Sequence, residues 1–155
     1  MSKSLRRVEA ALAASGVAHE IREVGQARTA AEAAQAADCG VDQIVKSILF
    51  RGEETGHVVL FLTAGGNRVS AEKASRVAGQ ALGKADADLV RAETGFAIGG
   101  VSPLGHPKPL RIFWDPRLDA FATVWAAAGT PRHIFSITPE ALRRITAAEP
   151  ADFTE

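Results

Sequence analysis

One lysine lies inside an apolar run, QIVKSILF at residues 43–50. The β-branched and aromatic side chains around Lys46 are typical of a buried strand. A lysine in such a strand either reaches water or lies where its charged form is disfavoured unless an anion joins it. Lys46 is therefore either an edge-strand residue that prevents unwanted pairing or the cation of a binding site.

A glycine-rich loop is the second unusual stretch, formed by Gly99, Gly100, Val101, Ser102 and Pro103. Glycines allow the backbone to come close to a ligand, and the loop amides could donate to an anion or a carbonyl oxygen. Pro103 would stiffen the loop and keep those donors aimed. The spacing matches neither GxxxxGK[ST] nor GxGxxG, so this is not a nucleotide phosphate loop. A simple turn between strands is the alternative.

His133 follows the turn GTPR and precedes a strand, a place from which it could face a pocket. The other histidines, His19, His57 and His106, lie in polar or loop contexts, and we predict that they are solvated. No Ser-His-Asp order can be read from spacing, because triads are defined by geometry. The lone Cys39 is interpreted as a small buried filler, and no metal site or other cofactor is expected.

Length and composition favour one globular domain over residues 1–155. Hydrophobic residues make up 46% and charged residues 23%, which argues against disorder. The 18 basic and 18 acidic residues balance, which counts against binding of a long duplex but not of a short single-stranded end. The N-terminus MSKSLRRVEA is charged where a signal peptide is apolar, and no run is long enough to span a bilayer, so we expect a cytoplasmic protein.

The elements that must position these residues mix helices and strands without strict alternation. Predicted helices are one around Leu5, Val8 and Leu12 that ends at Gly16, an alanine-rich one opened by a Thr29–Glu32 capping box and closed by Gly40, one from Ser70 to Gly83, one at 86–94, and one after Thr138. Predicted strands are 17–24, the hairpin 43–51 and 57–64, 111–115, TVWAAAG and 133–137, with a frayed tail. This order predicts an α/β domain with a mixed, partly closed sheet.

Four stretches together resemble the YbaK/ProX family of trans-editing aminoacyl-tRNA deacylases, which are related to the insertion domain of prolyl-tRNA synthetases. They are TAAEAA at 29–34, QIVKSILF at 43–50, TGFAIGGVSPLG at 94–105, and HIFSITPEAL from His133 onward. The similarity runs from about Leu5 to Thr146. It implies a barrel-like mixed sheet surrounded by helices, and hydrolysis of the ester that joins a wrong amino acid to the 3′ end of a tRNA.

The resemblance also implies roles for particular residues. Lys46 matches the family's lysine, which would meet the terminal phosphate or the ester and have its charge balanced by that anionic ligand. The loop from Gly99 to Pro103 matches the family's GxxxP loop, whose amides would stabilise the oxyanion by about 2–4 kcal/mol per donor. His133 matches a histidine beside the substrate's amino group, and Ile44 and Gly129 complete the expected substrate contacts.

Water would be activated by the substrate's own 2′-hydroxyl or by a backbone carbonyl, since no side chain is an obvious general base. Ser102 would either add a hydrogen bond or stabilise the loop. The expected partners are the acceptor end of an aminoacyl-tRNA and an aminoacyl-tRNA synthetase such as prolyl-tRNA synthetase. Candidate phosphate contacts, each otherwise a solvated surface charge, are Lys73, Arg76, Lys108 and Arg111.

The stretch from Gly129 to His133 departs from that of family members that remove cysteine. This difference favours alanine, 2-aminobutyrate or another small aliphatic residue over cysteine as the amino acid removed. A binding module for a nucleotide or an RNA end, with the same pocket but no turnover, is the alternative. An esterase for small acyl compounds ranks last, because no nucleophile is identifiable.

Overall fold

A computed structural model describes residues 2–155 as a mixed sheet with helices packed around it. The strands are β1 (Glu20–Glu23), β2 (Ile44–Gly52), β3 (Val58–Ala64), β4 (Leu82–Lys84), β5 (Arg111–Trp114), β6 (Val124–Ala127), β7 (His133–Ile137) and β8 (Glu149–Pro150). Their order is β1-β7-β6-β2-β3-β5-β8, and β4 also pairs with β2. The β2–β6, β3–β5 and β5–β8 pairs are parallel and the others antiparallel. The predicted fold class is confirmed.

The helices are α1 (Lys3–Ser15), α2 (Ala30–Ala37), α3 (Ala71–Ala78), α4 (Ala87–Thr94) and α5 (Pro139–Thr146). Helix α1 begins where Ser2 Oγ accepts from the Leu5 amide and ends at Gly16, whose φ of 69° is left-handed. Helix α4 ends in the same way at Gly95. Both predicted ends are confirmed.

Two other predicted helix ends are wrong. Helix α2 stops at Ala37, because Asp38 takes the left-handed conformation before Gly40 is reached. Helix α3 stops at Gly79, with φ 72°, and residues 82–84 form β4 instead of a last helical turn. In each case an earlier residue supplies the left-handed cap, so the helix does not extend to the next glycine.

The capping box at α2 is half formed. Thr29 Oγ1 accepts from the Glu32 amide at 3.1 Å, as predicted. The Glu32 carboxylate, however, accepts from the Arg28 amide at 2.9 Å instead of from the Thr29 amide. The helix start therefore lies at the predicted residue, with a different second bond.

The sheet has two packed faces. The inner face carries residues such as Val45, Leu62 and Phe135, which pack against α1 through Leu12. The outer face packs against α2 and α3 in two smaller clusters. Each fully buried leucine such as Leu12 contributes about 1.5–3 kcal/mol through its burial.

The C-terminal tail is docked, and the prediction that it is frayed is wrong. Glu149–Pro150 pairs with β5, and Phe153 is fully buried against the outer face beside Phe61. None of the helices described within residues 2–155 is long and apolar enough to cross a membrane.

Candidate functional site

The sheet opens along β2. This strand pairs with β6 only at Ile44 and Val45 and with β4 only from Phe50 onward. Between them, residues 46–49 have no strand partner on that edge within the described chain. A cavity of about 370 Å³ lies at this opening, a volume within the range of small-molecule sites. Both faces of β2 therefore contribute side chains to one cavity.

The structure brings five of the predicted site residues to this cavity: Ile44, Lys46, Gly99, Val101 and His133. Within residues 2–155, four others are not among the residues that line it: Gly100, Ser102, Pro103 and Gly129. The second group lies directly behind the first and supports it, as described below. Contact of these residues with a ligand stays a prediction.

Lys46 is half-buried, and its Nζ donates to the carbonyl oxygen of Asn67. Burial lowers the pKa of Lys46, and Arg68 lowers it further, whereas Asp115 and Asp42 raise it. The net shift of the Lys46 pKa is downward, so the carboxylates of Asp115 and Asp42 offset only part of the effect of burial. Balancing of the remaining charge by an anionic ligand stays a prediction.

The Asn67 carbonyl is held by a buried carboxylate. Asp115 is 3% exposed, and its Oδ2 accepts from Asn67 Nδ2 at 2.9 Å and from the Ala64 amide at 3.0 Å. Asp42 Oδ1 accepts from the Gly66 amide at 2.8 Å and ties down the same turn. Sequence analysis missed this network, and the signal for it is an Asp-Pro pair directly after a buried strand.

The glycine loop packs against the turn that precedes β7. A Cβ on Gly100 would lie 3.0 Å from Thr130 Cα, so a larger residue there would require the neighbouring backbone to shift. The Gly100 amide donates to the Ala97 carbonyl at 3.0 Å. Val101 is 5% exposed, and its amide has no acceptor among residues 2–155. Because Val101 lines the cavity, an amide without an acceptor there is free to donate to a ligand.

His106 holds the same loop from behind. Its Nε2–H donates to the Ser102 carbonyl at 2.7 Å, and its ring lies edge-on to Phe96. Burial lowers the pKa of His106, against the bond to Ser102, which raises it. Ser102 Oγ accepts from the Leu104 amide at 3.4 Å, which fits the loop-stabilising role. The prediction of a solvated His106 is wrong, because the loop folds back over Phe96.

His133 is half-buried between two polar groups. Its Nδ1 lies 2.7 Å from Thr130 Oγ1, and its Nε2 lies 3.5 Å from the carboxylate of Glu23. Gly129, just before, has a φ of 93°, and a Cβ there would lie 2.6 Å from the Ser4 carbonyl oxygen. Gly129 thus lets the turn that orients His133 pack against α1.

Three of the predicted phosphate contacts make bonds away from the cavity. Lys73 pairs with Asp152 at 3.2 Å and Arg76 with Glu72 at 3.1 Å, and Arg111 donates to the Ala78 carbonyl at 2.6 Å. Lys108 is exposed, and none of the four is among the residues that line the cavity in the described chain.

Three other arginines lie at or near the cavity. Arg28 lines it, Arg68 is close enough to Lys46 to lower its pKa, and Arg132 precedes His133 and lines a neighbouring cavity. Within residues 2–155 these three arginines form no salt bridge. The described residues contain no group of three or more His, Cys, Asp or Glu side chains that could hold a metal ion.

Comparison with known proteins identifies the family. Residues 24–145 match the model of the aminoacyl-tRNA editing domain, and the chain belongs to that family. It is 46% identical to a proposed trans-editing enzyme for prolyl-tRNA synthetase, whose crystal structure superposes with a TM-score of 0.92 and coverage of 100% of this chain and 99% of the other. This match confirms the resemblance to the YbaK/ProX family.

Two further proteins are similar. The crystal structure of hypothetical protein APE2540 is 27% identical, with a TM-score of 0.87 over 96% of this chain and 99% of the other. The uncharacterised protein YwhH of Bacillus subtilis (strain 168) is 31% identical over 114 residues, which are 74% of this chain and 72% of YwhH.

Proposed function

We propose that this protein hydrolyses, in trans, the ester of a mischarged aminoacyl-tRNA. The proposed substrate is tRNA for proline that carries a small wrong amino acid such as alanine, 2-aminobutyrate or cysteine. The observation that carries the proposal is the meeting of Lys46, the free Val101 amide and His133 around one cavity of about 370 Å³. Membership of the editing-domain family supports it, as does the likeness to a proposed trans-editing enzyme.

The reaction needs a polarised carbonyl and one water molecule. Water adds to the ester carbonyl carbon, the bond from that carbon to the ribose oxygen breaks, and that oxygen leaves with a proton from the water. The products are the free amino acid and the tRNA with its terminal hydroxyl restored. The Val101 amide and the Lys46 ammonium would stabilise the oxyanion, an effect of about 2–4 kcal/mol per donor in other enzymes.

A neighbouring 2′-hydroxyl of the substrate or a backbone carbonyl would activate the water. The contacts of the nearby side chains support this choice: His133, which lines the cavity, is held by Thr130, and the carboxylates of Asp115 and Asp42, which do not line it, are bound to backbone amides. His133 and Glu23 would receive the substrate's α-ammonium.

The RNA end would enter past Arg28, Arg68 and Arg132, which are candidates for its phosphates in place of the residues expected from the sequence. A short contact with few phosphates is consistent with a net charge of zero. A synthetase such as prolyl-tRNA synthetase would supply the remaining recognition of the tRNA.

The test is deacylation of tRNA for proline charged with alanine, serine, cysteine, 2-aminobutyrate or proline, by wild type and by Lys46→Ala. We expect rapid cleavage of at least one wrong ester, no cleavage of the prolyl ester, and an inactive variant. If nothing is cleaved at high protein concentration while the RNA end still binds, the protein is a binding module and the enzyme proposal is wrong.

A further inference from the structure

The hydroxyl of Ser47 is the one buried side-chain polar atom, among residues 2–155, that has no hydrogen-bond partner. Buried hydroxyls are nearly always hydrogen-bonded, because an unpaired one loses its bonds to water without replacement. Ser47 follows Lys46 directly and lines the same cavity. Its unpaired oxygen therefore lies where a ligand could form the missing hydrogen bond.

Register and strand alternation place Ser47 and His133 on the same face of the sheet. Val45 pairs with Ala126, which pairs with Phe135, and these three side chains lie on the inner face. Side chains alternate along a strand, so Ser47 and His133, each two residues further along, point to the same face. Both side chains line the cavity, which lies where β2 and β6 separate after Val45.

The cavity differs in polarity near Ser47 and near His133. Around Ser47 the cavity is lined by apolar side chains, Val45, Leu49 and Val101. An α-ammonium has three N–H donors, and one hydroxyl among apolar groups would leave two of them unpaired. The Glu23 carboxylate beside His133 is the better place for that cation. The Ser47 hydroxyl therefore suits a neutral polar group of the ligand that needs a single hydrogen bond.

We propose that Ser47 Oγ is a specificity-determining contact for a hydroxyl-bearing aminoacyl side chain, so that the cavity prefers a seryl group to its 2-aminobutyryl isostere. The inference rests on the proposed function, since it assumes that the aminoacyl group enters this cavity, and it replaces the small aliphatic residues expected from the sequence with serine. The two side chains differ only in a hydroxyl against a methyl group, which makes them a matched pair. A site built to bond a hydroxyl rejects the analogue that lacks it, because its own polar group then stays unpaired.

The experiment measures binding without turnover. Adenosine analogues that carry the seryl or the 2-aminobutyryl group through a non-hydrolysable 3′-amide are titrated calorimetrically into wild type, Ser47→Ala and Ser47→Cys. We expect wild type to bind the seryl analogue about tenfold more tightly. Ser47→Ala should bring the two dissociation constants within about twofold, and Ser47→Cys, a weak donor, should retain only part of the preference.

Ser136→Ala is the matched control, because Ser136 is a half-buried strand serine that does not line the cavity. It should keep the tenfold preference. Thermal unfolding without ligand adds a second readout: Ser47→Ala should raise Tm by about 2–4 °C, since it removes an unpaired buried hydroxyl. That shift also shows that the variant is folded.

Several results would overturn the proposal: equal binding of the two analogues by wild type, no binding of either, or a loss in Ser47→Ala that is the same for both. The last result would mean that Ser47 meets a group common to all aminoacyl esters. The same proteins are then assayed for ester hydrolysis. A tenfold binding preference without hydrolysis would refute the proposed function and support the Ser47 contact. Hydrolysis without a binding preference would support the proposed function and refute the Ser47 contact.

Discussion

Lys46 and Ser47 are consecutive residues of β2 that line one cavity, and the chain treats their polar atoms in opposite ways. Lys46 Nζ is bonded to the Asn67 carbonyl, with Asp115 and Asp42 nearby. Ser47 Oγ is buried without a partner among residues 2–155. A satisfied group is held in place before a ligand arrives, whereas an unsatisfied one gains its bond on binding. In the proposed function, Lys46 is therefore the charge that is in place before the ligand binds, and Ser47 is the contact that the ligand completes.

The strongest test of this difference removes the preorganised charge. Lys46→Ala should reduce single-turnover deacylation by about 100- to 1,000-fold, the loss seen when one oxyanion donor is deleted. Lys73→Ala is the control, because Lys73 pairs with Asp152 outside the cavity, and it should act as wild type. A Lys46→Ala rate within threefold of wild type would show that the charge has no part in the reaction.

A substitution at Gly129 tests the packing of the turn that orients His133 against α1. Gly129→Ala should lower the free energy of unfolding by about 3 kcal/mol, from left-handed strain together with overpacking against the Ser4 carbonyl. Gly56→Ala is matched in φ, at 77°, but has nothing within 4 Å of the added Cβ, and should cost only about 1–2 kcal/mol. Urea denaturation measures both, and equal losses would refute the packing role.

The support of Lys46 can be weakened without removing its amine. Asp115→Asn deletes a negative charge that raises the pKa of Lys46, so that pKa should fall. The ammonium is then lost at lower pH, and the alkaline limb of the rate profile should move toward lower pH, with a rate loss of about tenfold from a displaced Asn67.

Asp119→Asn controls for general disturbance, because Asp119 bonds Trp114 and Arg143, away from Lys46. It should leave the alkaline limb in place. The same shift in both variants, or in neither, would count against a specific link between Asp115 and Lys46.

The smallest expected effect concerns the arginines around the cavity. Arg28→Ala, Arg68→Ala and Arg132→Ala should each raise KM for charged tRNA about threefold and reduce the slope of log affinity against log salt by about 0.7, the value for one lost phosphate contact on a single strand. Arg76→Ala is the control, because Arg76 pairs with Glu72 and does not line the cavity. This variant should change neither KM nor the salt slope. Unaltered slopes in all four variants would place the RNA end elsewhere.

Local signals account for what could be predicted. Helix α1 and its glycine end follow from helical spacing and a left-handed cap, and the β2–β3 hairpin follows from two apolar runs around a turn. Both depend on residues close together in the chain. The loop at Gly99 and the lysine at 46 stood out because each is unusual for its own surroundings.

Long-range contacts account for what was missed. Strand β4, the docked Phe153 and the half-buried His106 depend on partners far away in sequence or on a loop folding back. The role of Asp115 is the clearest case. As one acid beside a turn it looks ordinary, and only the approach of Asn67, 48 residues away, makes it the support of Lys46.

The amino-acid sequence by itself determined the mixed α/β class, the family motifs and the candidate Lys46 and glycine loop, because residue type and short-range spacing encode them. Only the tertiary structure decided that β2 parts from β6 after Val45, that Lys46 is already hydrogen-bonded, and that Ser47 is left unpaired. These properties depend on which backbone and side-chain groups meet when distant strands pair, and that geometry is not written in any one stretch of the chain.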